Sequence, residues 1–279
     1  MKKILVTGCN GQLGKAIQKE YESEAVELIL TDVADLDITD NAQVLQFVRE
    51  HKPQVIMNCA AHTAVDLCEE QWDLAYRINA IGPRNLAIAA TQTGAKLMHI
   101  STDYVFSGDG DHPYTEFDPV GPTSAYGKTK LEGERFVQQF AKNYFIIRTA
   151  WLYGDGKNFV KTMLKLSETR DNVSVVKDQF GSPTSAAELA KMMHHLEPTE
   201  NYGLFHGTCE GSCSWADFAD EIFRLAGLPT KVKHITTEEY GSATRRPAYS
   251  VLDNYMLRLT TDFRMADWQD AIREYMEEQ

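Results

Sequence analysis

Short apolar runs alternate with segments of helical spacing through the first half of the chain. The apolar runs are bounded by glycine, polar or charged residues and lie at 3–7, 27–31, 55–57, 96–100 and 144–148. Apolar positions three and four residues apart indicate amphipathic helices at 12–22, 41–51, 69–93 and 124–140. Continuous apolar strands that alternate with such helices are typical of a parallel sheet covered on both faces. We therefore predict an α/β fold with a doubly wound parallel sheet.

The alternation is less regular after residue 150. Helical spacing recurs at 158–167 and 185–195, and a short apolar strand is predicted at 204–206. The run at 173–176 also has the composition of a strand, and we expect it to return to the sheet. Short elements without a clear period fill the rest of the chain.

These elements divide the chain into two interleaved units. The larger unit comprises residues 1–150, to which 171–207 returns. The smaller, C-terminal unit comprises 151–170 and 208–279. Because no long linker or low-complexity tract separates them, we expect the two units to pack as one body.

The composition excludes several classes of protein. With 28 Lys and Arg against 40 Asp and Glu, the net charge is −12, so we expect no basic face for a nucleic-acid polymer. The N-terminal apolar run is shorter than the roughly 7–15 residues of a signal sequence, and no run approaches the ~18–20 of a membrane span. The five cysteines are an odd number, which argues against a disulfide framework. We expect a cytoplasmic small-molecule enzyme with free thiols and no metal.

Three glycines follow the first predicted strand and precede the first helix. Gly8, Gly11 and Gly14 are spaced so that the backbone can approach a pyrophosphate at the helix N-terminus. Asp32 ends the second strand, where a carboxylate accepts hydrogen bonds from an adenosine ribose and repels a 2′-phosphate. An ordinary glycine turn and a turn or capping aspartate are the alternatives. We favour a Rossmann-type dinucleotide-binding domain in the larger unit, with NADH preferred and NADPH left open, and a substrate domain in the smaller one.

A candidate proton-transfer site combines two segments. Tyr126 and Lys130 are four residues apart in a predicted helix and share one face. An ammonium group lowers the pKa of a nearby phenol and suits it to donate a proton to a ketone oxygen. Ser101, Thr102 and Asp103 follow the fourth strand, at the edge where open α/β sheets bind ligands, so a hydroxyl there can assist Tyr126. A surface Tyr–Lys pair and a capping cluster are the alternatives.

Longer segments carry a more specific signal. They are Asn-Cys-Ala-Ala-His-Thr-Ala-Val-Asp at 58–66, Ser-Thr-Asp-Tyr-Val-Phe at 101–106, Arg-Thr-Ala-Trp-Leu-Tyr-Gly at 148–154, Gly-Ser-Pro-Thr at 181–184 and Arg-Pro-Ala-Tyr-Ser at 246–250. With the glycine turn and the Tyr–Lys pair, the chain resembles the extended short-chain dehydrogenase/reductase superfamily. Within that superfamily it resembles the dTDP-4-dehydrorhamnose reductase family nearly from end to end.

The resemblance implies roles for residues along one cleft. The implied catalytic residues are Thr102, Tyr126 and Lys130. The implied cofactor-binding residues are Gly8, Gly11, Gln12, Leu13, Gly14, Asp32, Asp37, Ile38, Ala60, Ala61, His62, Thr63, Ser101, Tyr126 and Lys130. The implied substrate-binding residues are Thr102, Asp103, Trp151 and Arg245. Packing of a loop is an equal explanation for His62, and core packing is an alternative for Trp151.

The resemblance also implies a reaction, the NAD(P)H-dependent reduction of the 4-keto group of dTDP-4-dehydro-L-rhamnose, with Tyr126 as proton donor. Tyr104 stands where nucleotide-sugar 4,6-dehydratases usually carry glutamate, which favours a simple ketoreductase. A reductase or epimerase of another nucleotide sugar is one alternative. Another is a non-catalytic regulatory subunit, like the β subunit of methionine adenosyltransferase.

The expected partners are a nucleotide sugar, as substrate, and a second copy of the chain in a possible homodimer. We expect neither a nucleic-acid polymer nor a membrane as a partner. Because substrate and cofactor are anionic diphosphates and the protein is acidic, local groups must bind them. For the cofactor we expect the N-terminus of the first helix, at 11–13, to do so. For the substrate diphosphate we expect Arg245 and Arg246, with Lys157 and Lys161 as further candidates. A solvated basic patch is the alternative interpretation, especially for the lysines.

Overall fold

A computed structural model describes residues 1–241 and 246–278. Its strands are β1 Lys2–Thr7, β2 Val26–Thr31, β3 Val55–Asn58, β4 Lys96–Thr102, β5 Tyr144–Thr149, β6 Leu152–Tyr153, β7 Asn172–Val176, β8 Phe180–Gly181, β9 Thr184–Ser185, β10 Gly203–His206, β11 Cys213–Ser214 and β12 Lys231–Ile235. Its α-helices are α1 Gln12–Glu20, α2 Asn41–His51, α3 Val65–Glu70, α4 Trp72–Tyr76, α5 Gly82–Thr93, α6 Ala125–Phe140, α7 Phe159–Ser167, α8 Ala186–Leu196, α9 Trp215–Leu225, α10 Thr237–Tyr240, α11 Tyr255–Thr260 and α12 Trp268–Glu277. None of the helices in the described ranges is long and apolar enough to cross a membrane.

A six-stranded parallel sheet with the order β10–β5–β4–β3–β1–β2 forms the centre of the molecule. Successive residues of β1 face opposite sides, as a strand requires. Ile4 and Val6 pack on the face covered by α1 and α8, whereas Leu5 packs on the face covered by α2, α5 and α6. Because both faces are buried, the strands are continuously apolar, and the predicted doubly wound α/β fold is confirmed.

One predicted strand lies elsewhere. The run at 173–176 does form a strand, β7, but β7 pairs in parallel with β12 and not with the central sheet. Val173 and Val175 are buried in a second core with residues of α7, α9 and α12. The prediction that this strand returns to the sheet is therefore wrong, because a short apolar strand does not specify which partner covers it. By contrast, 204–206 joins the central sheet as part of β10.

The helical region predicted at 69–93 is divided into α3, α4, a π-helical segment at Arg77–Ile81, and α5. The π-helical segment carries the buried Asn79, whose side-chain amide donates to the Thr129 hydroxyl of α6 at 3.2 Å. Asn79 also holds the backbone of His62, accepting from its N–H at 2.8 Å and donating to its carbonyl oxygen at 3.0 Å. π-Bulges are frequent near functional sites, and this one ties the loop after β3 to α6.

We predict that Gly133→Ala destabilises the fold. A Cβ at Gly133 would lie 2.2 Å from the carbonyl oxygen of Asn79, which is backbone and cannot easily retreat. Alanine gains about 1 kcal/mol in helix propensity, but overpacking costs more, so we expect a net loss of about 2 kcal/mol. Urea unfolding measures it, with the exposed α6 substitution Gln138→Ala as the control. Equal stability of the Gly133 variant and the wild type would show that the contact is not tight.

Candidate active site

The carboxyl ends of β1, β3, β4 and β5 border a cleft with a volume of about 570 Å³. Parallel strands end at the same edge, so their following loops meet there, and open α/β sheets bind ligands at such an edge. The lining residues named from the sequence are Gly8, Gly11, Gln12, Leu13, Gly14, Ala61, Thr63, Ser101, Thr102, Asp103, Tyr126, Lys130, Trp151 and Arg246. The predicted cofactor and proton-transfer residues therefore share one cavity.

The glycine turn lies at one end of this cleft. Gly8 has a positive φ of 65°, and a Cβ there would meet the backbone of Ala60 at 2.8 Å. The N–H of Gly11 donates to the carbonyl oxygen of Gly8 at 3.0 Å, which closes the turn, and Gly11 caps α1 without any side chain over the helix end. A Cβ at Gly14 would meet the Gly8 oxygen at 2.5 Å. The turn thus needs glycine, and it leaves the positive end of α1 open to an anion.

Tyr126 lies in the first turn of α6, which begins where the Ser124 hydroxyl accepts from the N–H of Gly127 at 3.1 Å. Burial raises the pKa of Tyr126 above its ordinary value, and a hydrogen bond with the side chain of Thr102 opposes that rise. The direction differs from the expected lowering by Lys130, because burial outweighs the other influences on this phenol. Tyr126 is therefore a neutral phenol near neutral pH, which is the form that can donate a proton.

Lys130 is buried one helical turn after Tyr126, and its Nζ donates to the carbonyl oxygen of Ile100 at 2.5 Å. Burial lowers its pKa to about 8, and the negative charge of Glu134 opposes that fall. The ammonium group is thus directed at the end of β4 instead of the Tyr126 ring.

Asp103 is buried beside Thr102, whose hydroxyl donates to its Oδ1 at 2.8 Å. The other carboxylate oxygen has no hydrogen-bond partner among the described residues. Burial raises the pKa of Asp103 to about 6, and the hydrogen bond from Thr102 offsets only part of that rise. An incompletely paired carboxyl aimed into a cleft is poised to accept a hydrogen bond from a polar ligand.

Two tryptophans from different segments form the far wall. Trp151 follows β5 with a φ of 50°, a left-handed conformation that is uncommon for a bulky residue and costs on the order of 1–3 kcal/mol. Its ring stacks on Trp215 of α9, with centroids 3.5 Å apart and an interplanar angle of 8°. Strain of this size persists only where the surroundings fix it, and such residues concentrate at ligand sites.

The chain matches a known protein family over its full length. The family model described as the RmlD substrate binding domain matches residues 1–279. The chain belongs to the dTDP-4-dehydrorhamnose reductase family. The family predicted from the sequence is thereby confirmed.

Three similar proteins illustrate the match to this family. A dTDP-4-dehydrorhamnose reductase from Clostridium acetobutylicum is 58% identical, with a TM-score of 0.98 over 99% of both chains. One from Bacillus anthracis, solved in complex with NADP, is 46% identical, with a TM-score of 0.98 over 100% of both chains. The spore coat polysaccharide biosynthesis protein SpsK of Bacillus subtilis is 43% identical over 100% of this chain and 98% of that protein. Each spans essentially the same length as this chain.

Some predicted contacts lie outside the cleft lining. Asp32 accepts from the N–H of Asn10 at 3.3 Å, so it supports the glycine turn from the end of β2. Asp37 accepts from the N–H of Thr39 at 2.9 Å, and Ile38 packs in the core. These residues, with Ala60 and His62, do not line the cleft, and their predicted cofactor contacts stay predictions. Arg245 lies outside the described residues.

Two lining residues belong to no motif or strand predicted from the sequence. Trp215 appears in the sequence only as the first residue after a helix-capping serine, and Gln179 lies in a loop with no motif. Both reach the cleft from the C-terminal part of the chain, so only the packing of distant segments reveals them. Of the predicted cations, Arg246 lines the cleft and lies 3.5 Å from Asp66, whereas Lys161 pairs with Asp155 at 3.3 Å.

We predict that Asp103→Asn stabilises the protein near neutral pH. The folded-state pKa of about 6 exceeds the ordinary carboxyl value of 3.8, so the contribution of Asp103 to stability is fully present below about pH 4 and is lost as pH rises through 6. Asparagine avoids that loss, which corresponds to about 2–3 kcal/mol. Urea unfolding at about pH 7.5 and pH 4 measures the difference, with the exposed Asp73→Asn as control. A stability gain that is equal at both pH values would refute the role of the buried charge.

Proposed function

We propose that this chain reduces the 4-keto group of dTDP-4-dehydro-L-rhamnose to give dTDP-L-rhamnose, with NADH or NADPH as reductant. The carrying observation is the convergence of Thr102, Tyr126 and Lys130 beside a glycine turn, in a chain that matches this family from end to end. A pure binding module has no need of that proton-transfer set. The names of the relatives support the same substrate.

The cleft suits a dinucleotide. The start of α1 has no side-chain cap at Gly11, and Gly8, Gly11 and Gly14 line the cleft, so the amides at this helix end are available to a pyrophosphate. NADH is favoured by Asp32, whose carboxylate repels a 2′-phosphate, whereas the Bacillus anthracis relative was solved with NADP. We therefore retain both cofactors in the proposal. Lys130 and Tyr126 are proposed to hold the nicotinamide ribose.

The reaction adds a hydride and a proton across the sugar carbonyl. Bound NAD(P)H supplies the hydride to C4 of the sugar. Tyr126 donates its phenolic proton to the carbonyl oxygen as negative charge develops there, and the Thr102 hydroxyl hydrogen-bonds the same oxygen. Since the cleft is partly enclosed and its groups are fixed by hydrogen bonds, positioning contributes much of the rate.

Other lining residues are proposed to select the substrate. Asp103 accepts from a sugar hydroxyl, and Trp151 covers one face of the sugar ring. Arg246, at the mouth beside Asp66, is the described cation placed to meet the diphosphate. Tyr104 packs edge-on against Tyr126, with centroids 5.4 Å apart, so a phenol occupies the position of a dehydratase glutamate. This arrangement favours simple reduction over dehydration.

We further propose that the enzyme acts in the reducing cytoplasm, as its five free cysteines allow. Burial raises the pKa of Cys59 to about 12 in spite of the neighbouring Lys130, which argues against a nucleophilic thiol in the cleft. A homodimer is a further expectation from the family, which sedimentation can test.

We predict that Tyr126→Phe lowers kcat by roughly 100-fold or more, because general-acid catalysis contributes about 10²–10⁴. Purified protein is mixed with dTDP-4-dehydro-L-rhamnose and NADH or NADPH, and loss of reduced nicotinamide absorbance is followed. Cofactor affinity should change little. Tyr144→Phe, at the amino end of β5 and away from the cleft, is the matched control with unchanged kcat.

The product distinguishes the proposal from its alternatives. Formation of dTDP-L-rhamnose with one nicotinamide oxidised for each sugar reduced supports it. Folded protein that turns over only another nucleotide sugar, or none with either cofactor, would contradict it. Full activity of the Tyr126 variant would contradict the role of that phenol alone.

A further inference from the structure

A buried ion pair lies behind the proposed site. Glu134, one helical turn after Lys130, accepts from Arg148 Nε at 2.9 Å and from Arg148 Nη2 at 2.7 Å. The Glu134 and Arg148 side chains are only 2% and 4% exposed. Apolar residues often replace such a pair without loss of stability, so stability alone is a weak reason to retain it.

Glu134 and Lys130 fasten α6 to two successive residues of β4. The Ser101 hydroxyl donates to Glu134 Oε1 at 2.5 Å, and Lys130 Nζ donates to the Ile100 carbonyl oxygen at 2.5 Å. The next residue of β4 is Thr102, whose side chain interacts with that of Tyr126 and lines the same cleft. Because the two attachments lie two residues and one residue before the proposed catalytic hydroxyl, they set the position of Tyr126 relative to Thr102.

Glu134 also supplies negative charge to Lys130. The other titratable groups that interact with Lys130 are Cys59 after β3 and His99 on β4. Burial keeps both neutral near pH 7, since it raises the pKa of the thiol and lowers that of the imidazole. Among the described residues that face the ammonium, Glu134 is therefore the anion that favours its protonated form.

We propose that Glu134, held by Arg148, is a positioning residue for the reduction, fixing α6 on β4 and keeping the Lys130 side chain charged at the nicotinamide ribose. This inference rests on the proposed function. It assigns Glu134 no contact with substrate or cofactor. A merely structural Glu134 would affect stability and the rate at every pH equally, which gives the two interpretations different pH profiles.

The test compares Glu134→Gln with the wild type across pH. Without the anion, Lys130 loses its proton at a lower pH. The decrease of kcat at alkaline pH, its alkaline limb, should therefore begin at a lower pH in this variant. We expect the ratio of kcat at about pH 9 to kcat at about pH 7 to fall roughly tenfold. Glu134→Asp keeps the charge and should restore the limb, even where the shorter side chain lowers kcat.

Two further variants separate this effect from damage to the fold. Glu134→Gln leaves Arg148 buried without its anion, and that cation itself disfavours the charged form of Lys130. The double variant Glu134→Gln/Arg148→Met removes both charges and should shift the limb in the same direction, but by less than Glu134→Gln. Glu188→Gln breaks another partly buried pair, with Lys191 at 2.7 Å on α8, and should leave the limb unchanged. Circular dichroism confirms that each variant is folded.

A second readout does not need sugar turnover. The Kd of NADPH is measured from its fluorescence. As the pH is raised, this Kd should begin to increase at a lower pH in Glu134→Gln than in the wild type. Wild-type protein that binds NADPH but reduces no sugar would count against the proposed function and leave this readout decisive. The inference would be overturned if kcat and Kd had the same alkaline pH dependence in the wild type, in Glu134→Gln and in Glu134→Gln/Arg148→Met.

Discussion

The parallel register of the central sheet is the constraint on which the site depends. Thr7 of β1 lies beside Asn58 of β3, and Thr102 of β4 lies beside Thr149 of β5, so four chain segments leave the sheet at one edge. Each following loop then adds a different chemical group there, from the glycine turn to the strained Trp151. The cleft is a consequence of strand direction, and the individual side chains give it chemistry.

Burial sets the electrostatics of that chemistry. It raises the pKa of Tyr126 and of Asp103 and lowers that of Lys130, because charge is disfavoured wherever water is excluded. The protein therefore holds a neutral phenol at Tyr126, an incompletely paired carboxyl at Asp103 and a buried lysine at Lys130 beside the Glu134 carboxylate. Burial brings the pKa values of Asp103 and Lys130 closer to neutrality, which is costly to folding and typical of functional sites. The acidic net charge adds no attraction for an anionic substrate, so these local groups must provide the binding.

The strand–helix alternation was enough to predict the sheet, because strands buried on both faces are visible as continuous apolar runs. The glycine spacing and the Tyr–Lys spacing also placed their residues in one cleft. The partner of β7 could not be predicted, since its apolar residues suit any apolar surface. Trp215 and Gln179 were missed because they reach the cleft from distant segments. The predicted lowering of the Tyr126 pKa was wrong, because spacing along a helix indicates neighbours but not the extent of burial.

The central claim is that Thr102 and Tyr126 together meet the oxygen on C4 of the sugar. A crystal structure of the protein with NADPH and dTDP-L-rhamnose tests it most directly. We expect the C4 hydroxyl within hydrogen-bonding distance of Tyr126 and Thr102, with the nicotinamide C4 facing the sugar C4 and Lys130 on the ribose. A sugar that binds with its C4 hydroxyl away from both side chains, while the nicotinamide lies in the cleft, would refute this role of the two residues.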